Sequence, residues 1–192
     1  DLSGNHHALV FGAGVIGNLA IQTLRAHGVT HISAVDIHPG RLGLASRHGA
    51  SATFNSSSGT VEDFLATEGR PTVVVETSGN SAVQAQCVAI ADKDGQVVYI
   101  GTAHGDVPLS ETTFERILRG ELVITGSWMS YSDPFPGSEW ATAVTMIDSG
   151  SVEVESLISR IYTLEDRAQP FLDLTAPGST MAKVLYHVNE DL

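Results

Sequence analysis

The motif best suited to binding a ligand consists of three glycines, Gly12, Gly14 and Gly17, in the spacing G-x-G-x-x-G. They follow an apolar run at residues 8–11 and open a helical pattern at residues 15–27. In that setting Gly12 makes a tight turn, Gly14 lets a diphosphate approach the backbone, and Gly17 lets the helix pack closely on the strand. Free N–H groups and the positive end of the helix dipole then favour phosphate. The pattern predicts a dinucleotide-binding loop; the alternative is a glycine-rich turn without a ligand.

A carboxylate, Asp36, ends the second predicted strand, about 20 positions beyond the last of these glycines. A carboxylate at this position accepts hydrogen bonds from both hydroxyls of the adenosine ribose and repels a 2′-phosphate, which favours NAD over NADP. Arg41 complicates that prediction, because a nearby arginine can accommodate a 2′-phosphate. With Asp36 present, we interpret Arg41 as a neighbour of the ribose or the adenine.

The elements that must position these residues alternate regularly along the chain. Apolar runs alternate with amphipathic stretches, which predicts an α/β fold with a parallel sheet and helices on both faces. Because crossovers are right-handed, the natural topology is a doubly wound, six-stranded Rossmann sheet. The predicted strands are residues 8–11, 32–35, 52–54, 72–75, 96–100 and 122–125, and the predicted helices are residues 15–27, 41–48, 61–67, 82–91 and 111–118.

The last part of the chain exceeds what this sheet needs. Its pattern predicts helices at residues 139–148 and 164–174 and strands at residues 157–162 and 183–188. We therefore expect a dinucleotide-binding domain at residues 1–150, followed by a C-terminal extension at residues 151–192.

Two further loops are expected to line the nicotinamide half of the cofactor. Thr77 and Ser78 follow the fourth predicted strand, and Gly101 and Thr102 follow the fifth. Ligands of open α/β sheets bind outside the carboxyl ends of the strands. The alternative for each loop is a simple strand-to-helix turn.

Composition excludes several classes of partner. The net charge of −12 repels phosphate backbones, so we expect no nucleic-acid partner. The apolar runs are far shorter than the ~20 residues of a membrane span, and no signal-peptide pattern opens the chain. The single cysteine, Cys87, rules out an intrachain disulfide and fits a reducing compartment. These features predict a cytoplasmic protein without a membrane partner.

No residue is identified as catalytic or as a metal ligand. The eight histidines are isolated in the sequence or point to different faces, whereas a catalytic zinc usually needs three protein ligands. We expect them to be structural or exposed. None of the four tyrosines is followed four positions later by lysine, which disfavours the short-chain dehydrogenases. Cys87 falls in an apolar helical pattern and is expected to pack rather than react.

Several motifs resemble the cofactor-binding half of the medium-chain, zinc-dependent alcohol and polyol dehydrogenases. Besides the glycine loop and Asp36, they are residues 48–50, 76–79, 98–101 and 122–128. The stretch at residues 126–140 is most similar to the sorbitol and galactitol-1-phosphate dehydrogenase branch. The resemblance implies that the pyrophosphate region contacts Gly12, Gly14, Ile16 and Gly17, that the adenosine ribose contacts Asp36 and Arg41, and that the nicotinamide side contacts Thr77, Gly101, Thr102, Ser127 and Met129. We add the neighbouring Val15, Ile37 and Ser78 to the predicted cofactor site.

The family also has an N-terminal catalytic domain, which supplies the zinc ligands and which has no matching positions in this sequence. The resemblance implies that the segment at residues 151–192 returns to that domain. We therefore expect the NAD(H)-binding portion of an alcohol or polyol dehydrogenase, inactive by itself, with zinc confined to the missing domain. The alternatives are a stand-alone NAD-sensing or interaction module and a zinc-free, quinone-reductase-like NADPH enzyme, against which Asp36 argues. In the family the sixth strand, here residues 122–125, often lies at a dimer edge, so we expect a homodimer.

Overall fold

The structure, a computed structural model, describes residues 6–128 and 132–188. The chain divides into two compact units, Asp1–Val152 and Glu153–Leu192. The first unit contains β1 (His7–Phe11), α1 (Val15–Ala26), β2 (His31–Asp36), α2 (Pro39–His48), β3 (Ala52–Asn55), α3 (Val61–Glu68), β4 (Val73–Glu76), α4 (Ser81–Ile90), β5 (Gln96–Tyr99), α5 (Glu111–Arg119), β6 (Val123–Gly126) and α6 (Ser138–Asp148). The second unit contains β7 (Ile158–Thr163), α7 (Gln169–Thr175) and β8 (Lys183–His187), with 3₁₀ turns at Glu155–Leu157 and Leu164–Asp166.

The first six strands form one sheet in the order β3-β2-β1-β4-β5-β6, and every neighbouring pair is parallel. The order reverses direction between β1 and β4, which is the switch point of a doubly wound sheet. The predicted fold is confirmed. Crevices for ligands in such a sheet lie outside the carboxyl ends of the strands at this switch point.

Side chains of the central strands alternate between two apolar layers. In β1, Ala8 and Val10 pack in one layer, while Leu9 and Phe11 pack in the other. The first layer includes buried apolar residues of α1 and α2, and the second includes buried apolar residues of α3 and α4. Because β1 is buried on both faces, it reads in the sequence as one continuous apolar run. Of the helices within residues 6–128 and 132–188, none is both long and apolar enough to cross a membrane.

The second unit has its own small parallel sheet, in which β7 pairs with β8. Tyr162 is its most buried large side chain, and its hydroxyl donates a hydrogen bond to Asp173 Oδ2 at 2.6 Å. The continuous helix predicted at residues 164–174 is wrong. Instead a 3₁₀ turn precedes α7, because Arg167 between them has φ +50° and Pro170 lies in the first turn of α7. The assignment of residues 151–192 to a segment that returns to a catalytic domain stays a prediction.

Candidate functional site

The glycine-rich loop joins β1 to α1. Gly12 has φ +86°, in the left-handed region that favours glycine. A Cβ on Gly17 would lie 1.7 Å from Gly12 O, so only a hydrogen atom fits between helix and loop. A Cβ on Gly14, by contrast, would meet nothing within 4 Å. The tight turn and the close helix packing are therefore both present, and open space lies beside Gly14, where a diphosphate needs to approach the backbone.

The amino end of α1 has no side-chain cap. Its cap residue is Gly14, and its first turn carries no acidic residue. The helices α3, α4 and α5 differ, because side-chain oxygens of Thr60, Asn80 and Ser110 accept hydrogen bonds from their first backbone N–H groups. Uncapped N–H groups at a helix start carry partial positive charge and suit phosphate. The predicted contacts Val15 and Ile16 lie in this first turn, and Ile16 is exposed.

Asp36 lies at the carboxyl end of β2, beside the glycine loop. Its Oδ2 accepts a hydrogen bond from Ala13 N at 2.8 Å, and its Oδ1 accepts one from His38 N at 2.8 Å. The side chain is 6% exposed. Each carboxylate oxygen has two lone pairs and these bonds use one on each, so one acceptor position per oxygen is left. Two neighbouring ribose hydroxyls require that number of acceptors.

Ile37 and Arg41 flank this carboxylate. The Nη1 atom of Arg41 lies 4.0 Å from Asp36 Oδ2, at the outer limit of an ion pair, so the guanidinium group is not held tightly by the carboxylate. Ile37 is an exposed apolar side chain directly after β2. An exposed apolar side chain and a guanidinium group together suit the flat face of an aromatic ring such as adenine.

Thr77 connects the end of β4 to the glycine loop. Its Oγ1 donates toward Phe11 O at 2.8 Å and Gly12 O at 2.9 Å. Its backbone N also donates to Phe11 O, at 2.9 Å. The turn after β4 is thereby fixed to the predicted diphosphate loop by both side chain and backbone.

Glu76, to which sequence reasoning assigned no role, organises the rest of this turn. Its Oε1 accepts hydrogen bonds from Ser78 N at 2.6 Å, Ser78 Oγ at 2.5 Å and Gly79 N at 3.0 Å. Gln84, in α4, donates from Nε2 to Glu76 Oε2 at 3.3 Å and to Gly101 O at 2.8 Å. Sequence reasoning thus missed the roles of Glu76 and Gln84. Each is a polar residue inside an apolar pattern, and Glu76 also opens the motif at residues 76–79 that carries the family resemblance.

The loop after β5 lies against the turn after β4. A Cβ on Gly101 would lie 2.3 Å from Gly79 N, so the two loops touch through backbone atoms. Thr102 is exposed, as is Ser127 after β6, whose backbone N donates to Tyr99 O at 2.8 Å. Met129 lies outside the described residues. The structure therefore places the predicted loops after β1, β2, β4, β5 and β6 along one edge of the sheet.

Asn18 and His48 form a second pair that sequence reasoning missed, and this pair supports the glycine loop through hydrogen bonds. Asn18, in α1, is fully buried, and its Nδ2 donates to Ala13 O at 2.7 Å and to Gly14 O at 3.0 Å. Its Oδ1 lies 2.9 Å from Nδ1 of His48, at the end of α2. His48 therefore links α2 to the loop through Asn18. Sequence spacing alone shows neither partner.

Two titratable groups behind the site stay protonated near neutral pH. Burial raises the pKa of the Cys87 thiol well above its usual range, and the charge of Glu76 raises it further. Burial also raises the pKa of Tyr99, whose hydroxyl donates to Gln84 O at 2.7 Å. The prediction that Cys87 packs in the apolar core is confirmed.

Metal-ligating side chains do not converge in the described part of the chain, where no group of three His, Cys, Asp or Glu residues could hold a metal ion. The histidines nonetheless include a pair that sequence spacing did not indicate. At the amino edge of the sheet, His7 stacks on His31 with ring centroids 3.8 Å apart. His7 Nε2 lies 2.9 Å from Ser33 Oγ, and His31 Nε2 lies 3.1 Å from Glu68 Oε2. The described residues do not fit a zinc ion, but they fit a dinucleotide.

Comparison with known proteins decides the family. The profile of the family described as zinc-binding dehydrogenase matches residues 15–149. The chain belongs to this family. Galactitol 1-phosphate 5-dehydrogenase of Escherichia coli strain K12 is 38% identical over 184 residues, which cover 94% of this chain and 53% of that enzyme. The crystal structure of galactitol-1-phosphate dehydrogenase from Escherichia coli matches with a TM-score of 0.84 and 37% identity, over the same shares of the two chains.

The chain spans about half the length of these zinc-binding dehydrogenase relatives. A zinc-binding dehydrogenase of Sinorhizobium meliloti 1021 bound to NADP matches with a TM-score of 0.84 and 26% identity, over 97% of this chain and 54% of that one. The rspB alcohol dehydrogenase of E. coli CFT073, complexed with NADH, shares the fold with a TM-score of 0.83 and 21% identity, over 95% and 52%. The resemblance predicted from the sequence is confirmed. One of these two neighbours is thus bound to NADP and the other to NADH.

Proposed function

We propose that the chain is the NAD(H)-binding portion of a zinc-dependent alcohol or polyol dehydrogenase. The observation that carries this proposal is Asp36, whose carboxylate keeps one acceptor position on each oxygen beside the glycine loop. The uncapped first turn of α1 and the open space at Gly14 supply the adjacent place for the diphosphate. Ribose and diphosphate are thereby held by neighbouring strands, β2 and β1.

The chain's own residues bind and orient the cofactor, whose nicotinamide ring carries the hydride. With the ribose at Asp36 and the diphosphate at α1, the nicotinamide half extends over the other side of the switch point. Strands β4 and β5 lie on that side. Thr77, Ser78, Gly101 and Thr102, together with Ser127 and Met129 further along the chain, are proposed to line this half.

The preference for NAD over NADP follows from charge. A 2′-phosphate on the adenosine ribose would meet the Asp36 carboxylate, and the resulting repulsion exceeds what Arg41 offers from the edge of the site. Calorimetric titration of the purified chain is therefore expected to show tighter binding of NADH than of NADPH. Tighter binding of NADPH would contradict the role of Asp36 and favour the NADPH-dependent, quinone-reductase-like alternative.

We propose a polyol, polyol phosphate or other secondary alcohol as substrate of the whole enzyme. This rests on the 38% identity with galactitol 1-phosphate 5-dehydrogenase. Since the described residues offer no zinc site, the zinc and most of the substrate pocket are proposed to belong to a part of the enzyme outside these residues. The 192-residue chain should bind NADH without oxidising alcohols. The test mixes the chain with NAD⁺ and galactitol 1-phosphate in the presence of Zn²⁺ and measures NADH by its absorbance. Production of NADH would overturn that expectation.

We also propose a homodimer that forms through β6. This strand is the last in the sheet and pairs with β5, and its Val123 and Ile124 side chains are exposed. An apolar edge strand tends to pair with another chain. Light scattering should therefore give a dimer for the unaltered chain and a monomer for Ile124→Lys. A monomeric unaltered chain at micromolar concentration would contradict the proposal.

A cytoplasmic location is proposed from the cysteine. Cys87 is buried as a free thiol, which fits a reducing compartment. Fractionation of cells that express the protein checks this location.

A further inference from the structure

We propose that Glu76 is a positioning residue for the nicotinamide half of the cofactor, which it influences through the loops after β4 and β5. This inference rests on the proposed binding of NAD(H). Glu76 is 0% exposed and therefore has no surface with which to contact a ligand. Any effect of its side chain on the cofactor must be transmitted by the residues to which it is hydrogen-bonded.

The first set of these bonds fixes the turn after β4. One oxygen of Glu76 accepts from two backbone N–H groups and one hydroxyl, all within three positions of it in the chain. A carboxylate that accepts several such donors gives strong, charge-assisted hydrogen bonds and holds the turn in one conformation. In the described part of the chain its partners are neutral donors rather than cations. These bonds therefore tie the carboxylate to the turn that it organises.

The second set extends to the loop after β5. Gln84 Nε2 donates both to Glu76 Oε2 and to Gly101 O, so one amide group bridges the two loops. A Cβ on Gly101 would lie 2.7 Å from Glu76 Oε2, which shows how closely this loop packs on the carboxylate. The loops therefore form one unit held together by Glu76 and Gln84.

The position of this unit in the sheet assigns it to the nicotinamide half. Asp36 ends β2, on one side of β1, whereas the unit follows β4 and β5, on the other side. Thr77, inside the unit, contacts the glycine loop through Gly12 O. A change in Glu76 therefore alters the surface beyond the diphosphate while leaving the adenosine side intact.

The substitution Glu76→Gln separates the bonds to the turn after β4 from the bridge to the loop after β5. The amide oxygen of glutamine can still accept from Ser78 and Gly79, but its NH₂ group then faces Gln84 Nε2, donor against donor. Relief requires Gln84 to rotate its amide and accept through Oε1, a buried atom that has no hydrogen-bond partner within the residues described. The rotated amide no longer donates to Gly101 O. The variant thus keeps the bonds that hold the loop after β4 but loses the bond from Gln84 to the loop after β5.

The test compares NADH with ADP-ribose, which is the same molecule without nicotinamide. NADH is titrated by the fluorescence of its nicotinamide ring, and ADP-ribose by calorimetry. For Glu76→Gln, NADH affinity is expected to fall about tenfold, the loss of roughly one hydrogen-bonded contact, while ADP-ribose affinity stays within about twofold. The fluorescence of bound NADH should change as well, because it reports the surroundings of the ring.

Gln84→Met provides a second variant that leaves the bonds of Glu76 to its own turn in place. It should show the same selective loss of NADH affinity, and it decides the question if Glu76→Gln fails to fold. Gln86→Met is the matched control in the same helix, because the Gln86 side chain bonds to Glu62 instead. Gln86→Met should leave both affinities unchanged.

Unchanged NADH affinity in both Glu76→Gln and Gln84→Met would overturn the role of Glu76 alone, provided that the unaltered chain binds both ligands. Equal losses of NADH and ADP-ribose affinity in a variant with an unchanged Tm would also overturn it. An unaltered chain that binds neither ligand would instead overturn the proposed NAD(H) binding, and this inference with it.

Discussion

The carboxyl and amino edges of the six-stranded sheet both bury polar side chains but use them differently. At the carboxyl edge, Asp36 and Glu76 accept hydrogen bonds from backbone N–H groups of the neighbouring loops. At the amino edge, side chains contact each other: His7 stacks on His31 and bonds to Ser33. The polar groups of the carboxyl edge thus hold the backbone of the loops in place, whereas those of the amino edge interact with other side chains.

This difference shows where a parallel sheet can hold a ligand. A loop shaped by a buried carboxylate can present its remaining N–H groups and lone pairs outward, whereas His7 and Ser33 bond to each other inside the sheet. The histidine pair at the amino edge illustrates this, because His7 stacks on His31 and their Nε2 atoms lie within hydrogen-bond distance of Ser33 and Glu68. What a buried polar group bonds to is a better guide to a site than how many such groups are present.

The largest effect is expected from Gly17→Ala, which tests whether the carboxyl edge depends on close backbone contact. The new methyl group would lie 1.7 Å from Gly12 O, so the loop must move, and the free energy of unfolding should fall by more than about 3 kcal/mol. Gly43→Ala is the matched control within a helix, because its Cβ would meet only Arg47 Nη1, at 4.0 Å. That variant should be more stable by about 0.5 kcal/mol. Similar urea midpoints for the two variants would contradict this view of the loop.

Asp36→Asn tests whether the carboxylate at this edge serves a ligand as well as the fold. The loss of charge-assisted bonds to the ribose should weaken NADH binding about 30-fold, while NADPH binding should weaken far less because the repulsion of its phosphate is removed. Glu68→Gln, at the amino edge, should leave both affinities unchanged. Calorimetry measures all three proteins. Equal weakening of NADH and NADPH by Asp36→Asn would contradict the assignment of the ribose to this residue.

Gly14→Ala separates ligand binding from stability within the glycine loop. Its Cβ meets nothing within 4 Å, so the free energy of unfolding should change by less than about 0.5 kcal/mol. The methyl group nevertheless lies where the diphosphate must approach, and NADH affinity should fall about tenfold. Loss of stability with intact NADH affinity would reverse the roles given to Gly14 and Gly17.

The smallest effect is a pH dependence at the amino edge. Burial lowers the pKa of His7 below its ordinary value of 6.5, and the neighbouring His31 lowers it further. The unfolded chain therefore binds the proton first, so stability is complete above pH 6.5 and is lost as the pH falls from there through the pKa of the folded state. Urea unfolding between about pH 7.5 and 5.5 should show a larger loss of stability in the unaltered chain than in His7→Gln.

NADH affinity of His7→Gln at neutral pH should match that of the unaltered chain, because this edge is remote from the cofactor. An identical pH dependence in the two proteins would contradict the role of His7.

Local patterns predicted most of the fold. Strands such as β1 and β4 are continuous apolar runs, and the glycines at residues 12 and 17 follow from a tight turn with φ +86° at Gly12 and from the close approach of Gly17 to Gly12 O, both within one short loop. The bonds of Glu76 to Gln84 and of Asn18 to His48 could not be predicted in this way. They join side chains on different elements, and a polar residue in an apolar pattern indicates burial without indicating its partner. The break in the helix predicted at residues 164–174 could not be predicted either, because nothing in the sequence pattern indicates a positive φ at Arg167.

The bare amino end of α1 has a consequence for ligand-dependent stability. Where Thr60, Asn80 and Ser110 complete their helices from within the chain, α1 must obtain its acceptors from solvent or from a bound anion. A dinucleotide that supplies them binds only the folded state, so it stabilises the fold by mass action. At a hundredfold excess over Kd the gain is about 2.7 kcal/mol, and the Tm should keep rising with the logarithm of ligand concentration.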